Sequence, residues 1–201
     1  VINKKVFTYG LTAQADVRAV DIQHEEFSSV YTVKYKGEDL GEIKLNIPGV
    51  HNVKNSLVAV TIATELGIPF KTIQKALESF KGVYRRFEVK YNKEILVIDD
   101  YAHHPTEIAA TLSAAKGMGY ERVWAIFQPF TFSRTARHLD GFVQSLTAAD
   151  QVILSDIMGS REQNKWNVSS QQIANRISGA LYIPEFDQIA DYVVKHACDG
   201  D

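Results

Sequence analysis

The sequence has little cysteine, little net charge and no long apolar run, and each of these absences excludes a class of protein. Cys198 is the only cysteine among 201 residues, so neither an internal disulfide nor a cysteine-ligated zinc site can form, which is typical of a reducing cytoplasm. Lys and Arg (22) nearly balance Asp and Glu (24), so no net field attracts nucleic acid or anionic lipid. No apolar run approaches the ~20 residues of a membrane-spanning helix. We therefore expect a cytoplasmic globular protein with no nucleic-acid and no membrane partner.

Two further absences bear on nucleotide binding and on the extent of the chain. Neither glycine-rich phosphate-binding pattern, G-x-x-x-x-G-K-S/T or G-x-G-x-x-G, occurs in the sequence. The first residue is Val1 rather than Met, and the helix-like segment 189–197 is followed by a turn composition where an alternating α/β pattern continues with a strand. These features predict a fragment of a larger protein whose final strand is missing.

Hydrophobic periodicity divides the chain into two parts, residues 1–81 and 82–201, with a hinge-like segment, 81–84, at the boundary. In the first part, short alternating segments predict an antiparallel β-meander that Pro48 and Gly49 end. Apolar residues at helical spacing then predict two helices. The predicted strands are 5–10, 17–22, 29–35 and 40–47, and the predicted helices are 52–66 and 72–80.

In the second part, two strands are followed by alternating helices and strands. This order predicts βαβ units, a mostly parallel sheet and therefore an α/β fold class. The predicted strands are 87–91, 95–99, 123–127, 151–155 and 180–183, and the predicted helices are 105–118, 133–147, 170–178 and 189–197.

Residues 99–108 read Asp-Asp-Tyr-Ala-His-His-Pro-Thr-Glu-Ile and follow the apolar run 95–98. Two acids, a phenol and two imidazoles thus lie where a predicted buried strand ends, which is where open α/β sheets bind ligands. Asp99 or Asp100 is suited to hold a ribose hydroxyl or a metal-bound water. An Asp helix cap followed by Pro105 explains part of this segment, but it does not explain two adjacent histidines.

His103 and His104 point in different directions if they begin a helix, so only one of them is expected to reach a shared ligand. They also lack the i, i+4 spacing of a helical zinc pair, and no metal site is predicted for this chain. A metal-dependent hydrolase built on these histidines with Asp99 and Asp100 is therefore a disfavoured alternative.

Two further polar clusters are candidates for ligand binding. His51, Asn52 and Asn55 begin a predicted helix, where free N–H groups and two amides one turn apart suit the edge of a purine. An Asn N-cap is the structural alternative. Arg85 and Arg86 precede a strand and can clamp phosphate oxygens, although a solvated surface pair also explains them.

The remaining clusters follow the next two predicted strands. Arg134 lies at a helix start, where it can bind a carboxylate, and a surface arginine is the alternative. Asp156, Arg161 and Glu162 could line a cleft, and a solvated loop explains them nearly as well. The position of these clusters favours a functional site over solvated surface residues. Three polar clusters directly follow three consecutive parallel strands, on one edge of the predicted sheet.

Four motifs occur in one order between residue 49 and the end of the chain, and together they resemble the Mur ligases. The third motif is highly specific, and the ordered set is more so. The motifs are Gly49-x-His51-Asn52-x-x-Asn55, Gly82-x-x-Arg85-Arg86-Phe87, the ten residues 99–108, and Phe127-Gln128-Pro129 with Ser133-Arg134-Thr135.

The resemblance implies a three-domain, ATP-dependent amino-acid ligase of peptidoglycan synthesis, and so a part in cell-wall biogenesis, cell shape and cell division. The chain would be the last part of the central ATP-binding domain (1–81), a β-meander and a helical end, and most of a Rossmann-like C-terminal domain (82–201). The His-His-Pro-Thr-Glu version resembles the branch that joins L-alanine to UDP-N-acetylmuramate through an acyl phosphate. Because the phosphate loop is missing, we expect this fragment to be inactive and Mg²⁺ to be held mainly by the missing part.

The resemblance also implies roles for single residues, with Arg86 and His103 as the catalytic ones. Two positions depart from the family pattern, since Phe130 replaces a usual His and Met158 replaces a usual Tyr. The other implied contacts are to adenine (His51, Asn52, Asn55), to phosphate (Arg85, Arg86), to the nucleotide (Asp100, Tyr101) and to the amino-acid substrate (His103, His104, Arg134).

Two other functions stay open beside this one. A sibling ligase that attaches a peptide to UDP-N-acetylmuramate carries a similar Asp-Asp-Tyr-Ala-His-His-Pro string. A non-catalytic nucleotide-binding module would keep the Asn and Arg clusters but would need no amino-acid pocket, and the apolar ring of Phe130 favours this second alternative.

Overall fold

The computed structural model describes residues 4–201, and the chain divides into two compact units, Val1–Val83 and Tyr84–Asp201. Residues 1–3, with which the first predicted part begins, lie outside the described residues. The division falls inside the hinge-like segment 81–84, two residues after the boundary expected from the sequence. Each unit has its own apolar core.

The strands of the first unit form one sheet in the order β1-β2-β3-β4. β2 (Val17–Glu25), β3 (Ser28–Tyr35) and β4 (Glu38–Leu45) pair antiparallel, as their alternating residues predict. β1 (Tyr9–Gly10) is shorter than the predicted strand 5–10 and pairs parallel with β2. The expectation of a wholly antiparallel meander is therefore wrong at its first strand.

A side-chain contact accounts for this parallel pair. Oδ2 of Asp16 accepts hydrogen bonds from the Thr8 N–H (2.8 Å) and the Thr8 hydroxyl (2.7 Å). The Val17 N–H also donates to the Thr8 carbonyl oxygen (3.0 Å). These bonds close a short loop, so two parallel strands are joined here without the crossover helix that such strands usually need.

Two helices, α1 (Val50–Glu65) and α2 (Phe70–Ser79), follow this sheet, and each begins two residues before its predicted start. Gly49 is the N-cap of α1, and its φ of 97° lies in the region that glycine enters without steric cost. The alternative in which Asn52 caps the helix is therefore wrong. The core of this unit consists of Val17, Ala19, Tyr31, Val33, Ile43, Leu45, Val53, Leu57, Val60 and Ile73.

The strands of residues 84–201 lie in two sheets rather than one. β5 (Glu88–Asn92) pairs antiparallel with β6 (Leu96–Asp99), while β7 (Trp124–Phe127), β8 (Gln151–Leu154) and β9 (Leu181–Tyr182) form a parallel sheet in that order. The α/β class is confirmed. The expectation that β6, β7 and β8 are consecutive strands of one sheet is wrong, because a cleft lies between β6 and β7.

The helices of this unit pack mainly against the parallel sheet, around Phe142, Leu146, Val152 and Leu154. The predicted single helix 133–147 is wrong, because the backbone leaves helical geometry at His138 (φ −115°, ψ 19°). In residues 4–201, no helix is both long enough and apolar enough to cross a membrane. The helices of the unit are α3 (Pro105–Lys116), α4 (Phe132–Arg137), α5 (Leu139–Leu146), α6 (Ser170–Ala174) and α7 (Phe186–His196).

Candidate functional site

Helix α3 begins inside the polar segment 99–108 and is capped by His104 rather than by an aspartate. Nδ1 of His104 accepts a hydrogen bond from the Thr106 N–H (3.3 Å), and the Glu107 carboxylate accepts one from the His104 N–H (3.3 Å). Pro105 occupies the first helical position, where a missing N–H leaves no bond unmade. The interpretation of an Asp cap is therefore wrong, and His104 has a local structural task.

Asp100 fixes the loop between β6 and α3. Its Oδ2 accepts hydrogen bonds from the Phe87 N–H and the Thr111 hydroxyl (both 3.1 Å), and its Oδ1 accepts one from the Ala102 N–H (2.8 Å). Charge-assisted bonds of this kind are stronger than neutral ones, so a single carboxylate ties the loop to α3 and to the segment before β5. Its two oxygens are thus already engaged by the protein itself.

The segment that leads into β5 has an unusual backbone. Arg85 (φ 56°) and Phe87 (φ 51°) both lie in the left-handed region, which costs a non-glycine residue roughly 1–2 kcal/mol. The Arg85 N–H donates to Oε2 of Glu88 (2.9 Å), and the Arg85 carbonyl oxygen accepts from the Tyr101 N–H (2.8 Å). Phe87 is buried. These contacts hold the strained segment and place Arg85 and Arg86 beside the exit of β6.

Five side chains meet at this exit: Arg85, Arg86, Tyr101, His103 and Glu107, here called the Tyr101 cluster. The Cζ atoms of Arg85 and Arg86 lie 5.2 Å and 5.8 Å from the centroid of the Tyr101 ring. The His103 ring packs edge-on against the same ring, with centroids 5.1 Å apart. Both guanidinium groups are about half exposed (47% and 48%), so the cluster presents two planar cations to solvent.

His103 is oriented by the backbone of the same loop. Its Nδ1 lies 2.8 Å from the Tyr101 carbonyl oxygen, to which it donates a hydrogen bond. In the neutral ring this bond places the proton on Nδ1 and leaves a lone pair on Nε2. The His103 N–H donates to Oε2 of Glu107 (3.0 Å), so the backbone of this histidine is held from the helix side as well.

Glu107 balances the positive charge of the cluster. Its Oε1 lies 3.9 Å from Nη1 of Arg86, and its Oε2 lies 3.6 Å from Nδ1 of His103. Burial acts to raise the pKa of this carboxyl, but the His103 N–H and the charges of His103 and Arg86 outweigh it and hold the pKa below its usual range. Sequence reasoning assigned no role to Glu107. The available signal was its place three residues after the helix cap, the position of a capping-box acid.

A second group of side chains surrounds Arg134 at the exit of β7. Nη1 of Arg134 donates a hydrogen bond to the Phe130 carbonyl oxygen (3.0 Å), and its Cζ lies 5.9 Å from the centroid of the Phe130 ring. Phe130 forms a parallel β-bridge with Met158. The two positions that depart from the family pattern are thus direct neighbours, beside the predicted carboxylate-binding arginine.

Glu162 joins the loop after β8 to the start of α4. Its carboxylate accepts hydrogen bonds from the Ser133 N–H (2.8 Å) and the Ser133 hydroxyl (2.6 Å). These bonds, with a contribution from the charge of Arg134, hold the pKa of Glu162 below its usual range. The sequence placed this residue only in a loop cluster that could line a cleft, because its partner lies too far along the chain for a local pattern to reveal.

The sequence analysis did not identify His138, which contacts the helix cap His104. Its ring packs edge-on against the His104 ring, with centroids 4.7 Å apart. Burial, the charge of His104 and the nearby arginines lower the pKa of His138. His104 thus faces His138, whereas His103 faces Tyr101, so the two adjacent histidines serve different neighbours.

The structure brings four of the predicted site residues together, namely Arg85, Arg86, Tyr101 and His103. Arg134 lies in its own group around Phe130. Within residues 4–201, His, Cys, Asp and Glu side chains form no group of three or more that could hold a metal ion. Asp99 is paired with Arg85 (Nε to Oδ2, 3.1 Å).

In the first unit, the predicted adenine contacts lie in the first turns of α1. Nδ2 of Asn52 donates a hydrogen bond to the Pro48 carbonyl oxygen (2.7 Å), which leaves its side-chain oxygen as an acceptor. Asn55 is exposed, and His51 is partly buried. Their roles toward a nucleotide stay predictions.

Known proteins match both units. A profile described as Mur ligase middle domain matches residues 1–63, and one described as Mur ligase, glutamate ligase domain matches residues 85–201. The UDP-N-acetylmuramate–L-alanine ligase of Geotalea daltonii is 42% identical over 207 residues, which cover 100% of this chain and 45% of that protein. The chain thus spans about half the length of the curated relatives that it matches.

Two solved structures share the fold. The UDP-N-acetylmuramate–alanine ligase of Thermotoga maritima superposes with a TM-score of 0.81 and 26% identity, covering 96% of this chain and 42% of that one. A murein peptide ligase of Psychrobacter arcticus gives a TM-score of 0.64 and 31% identity, covering 96% and 41%. Since the profile of residues 85–201 alone covers more than half of the sequence, the resemblance carried by the four motifs is confirmed, and the chain belongs to the Mur ligase family.

Proposed function

We propose that this chain is part of an ATP-dependent carboxylate–amine ligase that joins L-alanine to UDP-N-acetylmuramate through an acyl phosphate, in the cytoplasmic stage of peptidoglycan synthesis. The observation that carries the proposal is the Tyr101 cluster at the exit of β6, in a chain 42% identical to a ligase of that name. Residues 1–81 would be the end of the central ATP-binding domain, and residues 82–201 would be most of the ligase domain. This portion does not turn over alone.

Phosphate binding falls to the two arginines of the Tyr101 cluster. The ion pair of Arg86 with Glu107 is loose at 3.9 Å, so most of the guanidinium N–H groups stay available to a ligand. Arginine binds phosphate oxygens with two parallel hydrogen bonds, which suits it to the charge that develops during phosphoryl transfer. Arg86 is the catalytic member of the pair, and Arg85, which is also bonded to Asp99, supports it.

His103 is the residue that we assign to the amine. With Nδ1–H bonded to the Tyr101 carbonyl, the lone pair of Nε2 can take the proton that the amine loses as its nitrogen bonds to the acyl carbon and phosphate departs. Arg134 would bind the carboxylate of the amino acid, and His104 would line the same edge through its helix-capping position. The catalysis consists mainly of positioning and charge stabilisation.

Each unit contains residues that we assign to nucleotide binding. His51, Asn52 and Asn55 would contact adenine, and the Tyr101 ring, which is 45% exposed, offers a flat surface to the nucleotide. Asp100 contributes by holding the Tyr101 loop, since its oxygens are already bonded. ATP supplies the phosphoryl group when bound. Mg²⁺ would be held mainly by parts of the enzyme outside this chain.

The test is phosphate release from ATP in the presence of UDP-N-acetylmuramate and L-alanine, measured on a full-length enzyme that contains this sequence and on the 201-residue chain. We expect turnover from the former and none from the latter. Arg86→Ala should lower kcat about 100-fold or more, as loss of a charge-stabilising donor does. His103→Ala should lower kcat with a pH profile that loses its acid limb.

A matched control is Arg176→Ala, because the Arg176 side chain is exposed to a similar extent (46%) and is paired with Asp140. We expect its kinetics to equal those of the unchanged enzyme. Phosphate release by the 201-residue chain alone, or equal losses in Arg86→Ala and Arg176→Ala, would show that the proposal is wrong.

A second candidate is the sibling ligase that adds a peptide, which the 31% identity with the murein peptide ligase supports. Competition between L-alanine and a tripeptide for the same full-length enzyme separates the two. Preference for the tripeptide would favour the sibling, and nucleotide binding without any turnover would favour a non-catalytic nucleotide-binding module.

A further inference from the structure

Glu107 contacts both residues of the Tyr101 cluster to which the proposed function gives a catalytic role. Its Oε1 lies 3.9 Å from Nη1 of Arg86, and its Oε2 lies 3.6 Å from Nδ1 of His103. A capping box requires only a bond from the N–H of the cap residue, here His104, whose ring faces His138. Capping does not explain the second bond, from the His103 N–H (3.0 Å), or the approach to Arg86.

The ionisable groups beside the His103 ring come from three parts of the chain. The segment before β5 supplies two arginines that lie against the same aromatic ring as His103, and of these Arg85 is bonded to Asp99 (3.1 Å). The loop after β6 supplies that aromatic ring, a phenol, and α3 supplies Glu107. Glu107 is therefore the carboxylate that compensates Arg86, and it lies beside His103 as well.

The proposed reaction creates a positive charge on His103. When the amine nitrogen bonds to the acyl carbon and inorganic phosphate leaves with the electron pair of the C–O bond, the nitrogen gives one proton to the lone pair of Nε2. Nδ1 keeps its own proton on the Tyr101 carbonyl oxygen (2.8 Å), so the ring becomes an imidazolium. Its Nδ1 lies 3.6 Å from the Glu107 carboxylate, and an opposite charge at such a distance favours the protonated ring.

Glu107 acts through its charge and does not take the proton itself. Burial acts to raise the pKa of this carboxyl, but the N–H groups of His103 and His104 and the charges of His103 and Arg86 hold the pKa below its usual range. The carboxylate therefore stays ionised while the imidazole gains its proton. Phosphate bound to Arg86 would offset the guanidinium charge, which leaves the charge of Glu107 to His103 at the moment of transfer.

We propose that Glu107 is a positioning residue of the ligase reaction: its carboxylate stabilises the imidazolium that forms on His103 and so makes Nε2 an effective acceptor for the amine proton. The role parallels that of the carboxylate in a serine–histidine–aspartate triad, which orients a histidine and stabilises its charged form without taking the proton. The inference rests on the proposed function, because the proton comes from the amine of that reaction.

The test compares Glu107→Gln with the unchanged full-length enzyme. The amide oxygen of glutamine can still accept the N–H bonds of His103 and His104, so the substitution removes the charge and retains the helix cap. We expect kcat to fall about tenfold or more, with KM for L-alanine and for ATP within about twofold. Loss of the negative charge disfavours the imidazolium, so the acid limb of the kcat profile should move to lower pH by about half a unit or more.

A matched control is Asp187→Asn, which removes an exposed carboxylate from the first turn of α7. Its kcat and its acid limb should equal those of the unchanged enzyme. A capping role alone predicts the same result for Glu107→Gln. An unchanged kcat or an unmoved acid limb in Glu107→Gln therefore overturns the inference.

A second measurement separates failure of the inference from failure of the proposed function. Nuclear magnetic resonance of the histidine-labelled enzyme, with the His103 signal assigned from the His103→Ala variant, follows protonation of this ring without turnover. We expect the ring in Glu107→Gln to gain its proton at a pH lower by about half a unit or more. Turnover with equal ring titrations overturns the inference alone, and absence of turnover by the unchanged enzyme overturns the proposed function.

Discussion

β6 and β7 of the second unit each leave an apolar side chain exposed that β3 and β4 of the first unit would bury, although Val152, Ile153 and Leu154 of β8 are buried. In the first unit, Val33 of β3 and Ile43 of β4 have no exposed surface. In the second unit, Val97 of β6 and Ile126 of β7 lie inside their strands and remain 42% and 50% exposed. One sheet is continuous and covered by a helix, whereas the other strands are divided by a cleft.

The second unit compensates at the carboxyl ends of its strands. The loop after β6 is held by the carboxylates of Asp100 and Glu107, and the loop after β7 is held by Glu162. Apolar packing thus organises the first unit, while charged side chains organise the functional edge of the second. The contrast teaches that the candidate site is built by polar contacts. Their strength depends on pH and ionic strength, to which an apolar core is much less sensitive.

The largest expected difference is in the free energy of unfolding that is lost when isoleucine is replaced by alanine in each unit. Ile43→Ala removes fully buried atoms and should cost the first unit about 2–5 kcal/mol of unfolding free energy. Ile126→Ala, at a half-exposed position, should cost the second unit less than ~1 kcal/mol. Urea titrations followed by hydrogen exchange of β4 and β7 peptides measure each unit separately. Equal losses at the two positions would remove the contrast.

The second unit should in turn lose stability when the carboxylate of Asp100 is removed. Asp100→Ala leaves the Phe87 N–H, the Ala102 N–H and the Thr111 hydroxyl without their acceptor and should cost the second unit roughly 2–3 kcal/mol. Asp100→Asn keeps one oxygen and should lose less. Both tryptophans lie in the second unit, so their fluorescence during urea unfolding reports on it alone. Stability within about 0.5 kcal/mol of the unchanged protein for Asp100→Ala would show that packing suffices.

The smallest effect should depend on pH. The pKa of Glu107 is lower in the folded protein than its usual value, so the unfolded chain binds more protons and this carboxylate stabilises the fold above its unfolded pKa. That contribution is lost as pH falls through the lowered folded pKa. Glu107→Gln should therefore be less stable than the unchanged protein at pH 7 and nearly equal to it in strong acid, as followed by tryptophan fluorescence. Ser113→Ala on the exposed face of α3 serves as the control.

Much of the fold could be predicted because local patterns carry it. Alternation in β2 and β3 and the apolar stripe of α1 predict those elements, since burial of one face decides them. The break at His138 could not be predicted, because neither glycine nor proline marks it and its contact with His104 comes from distant parts of the chain. The division between β6 and β7 could not be predicted either, because the pairing of strands also depends on parts of the chain that are distant in the sequence.

The candidate site shows a similar limit. The polar string after β6 was found because chemistry-bearing residues cluster within ten positions of the sequence. The contacts within this string were not predicted. His104 caps the helix where an aspartate was expected, and Glu107 accepts a hydrogen bond from the His103 N–H. Pairs such as Glu162 with Ser133 meet only when the chain is folded.

The left-handed backbone at Arg85 and Phe87 has a consequence for anyone who would redesign this protein. Glycine would relax both positions, yet it would delete a guanidinium at the first and a buried ring at the second. The sequence therefore retains residues that local conformational preference disfavours. A library selected for thermal resistance alone should drift toward glycine at position 85, and a library selected for ligand binding should keep arginine there.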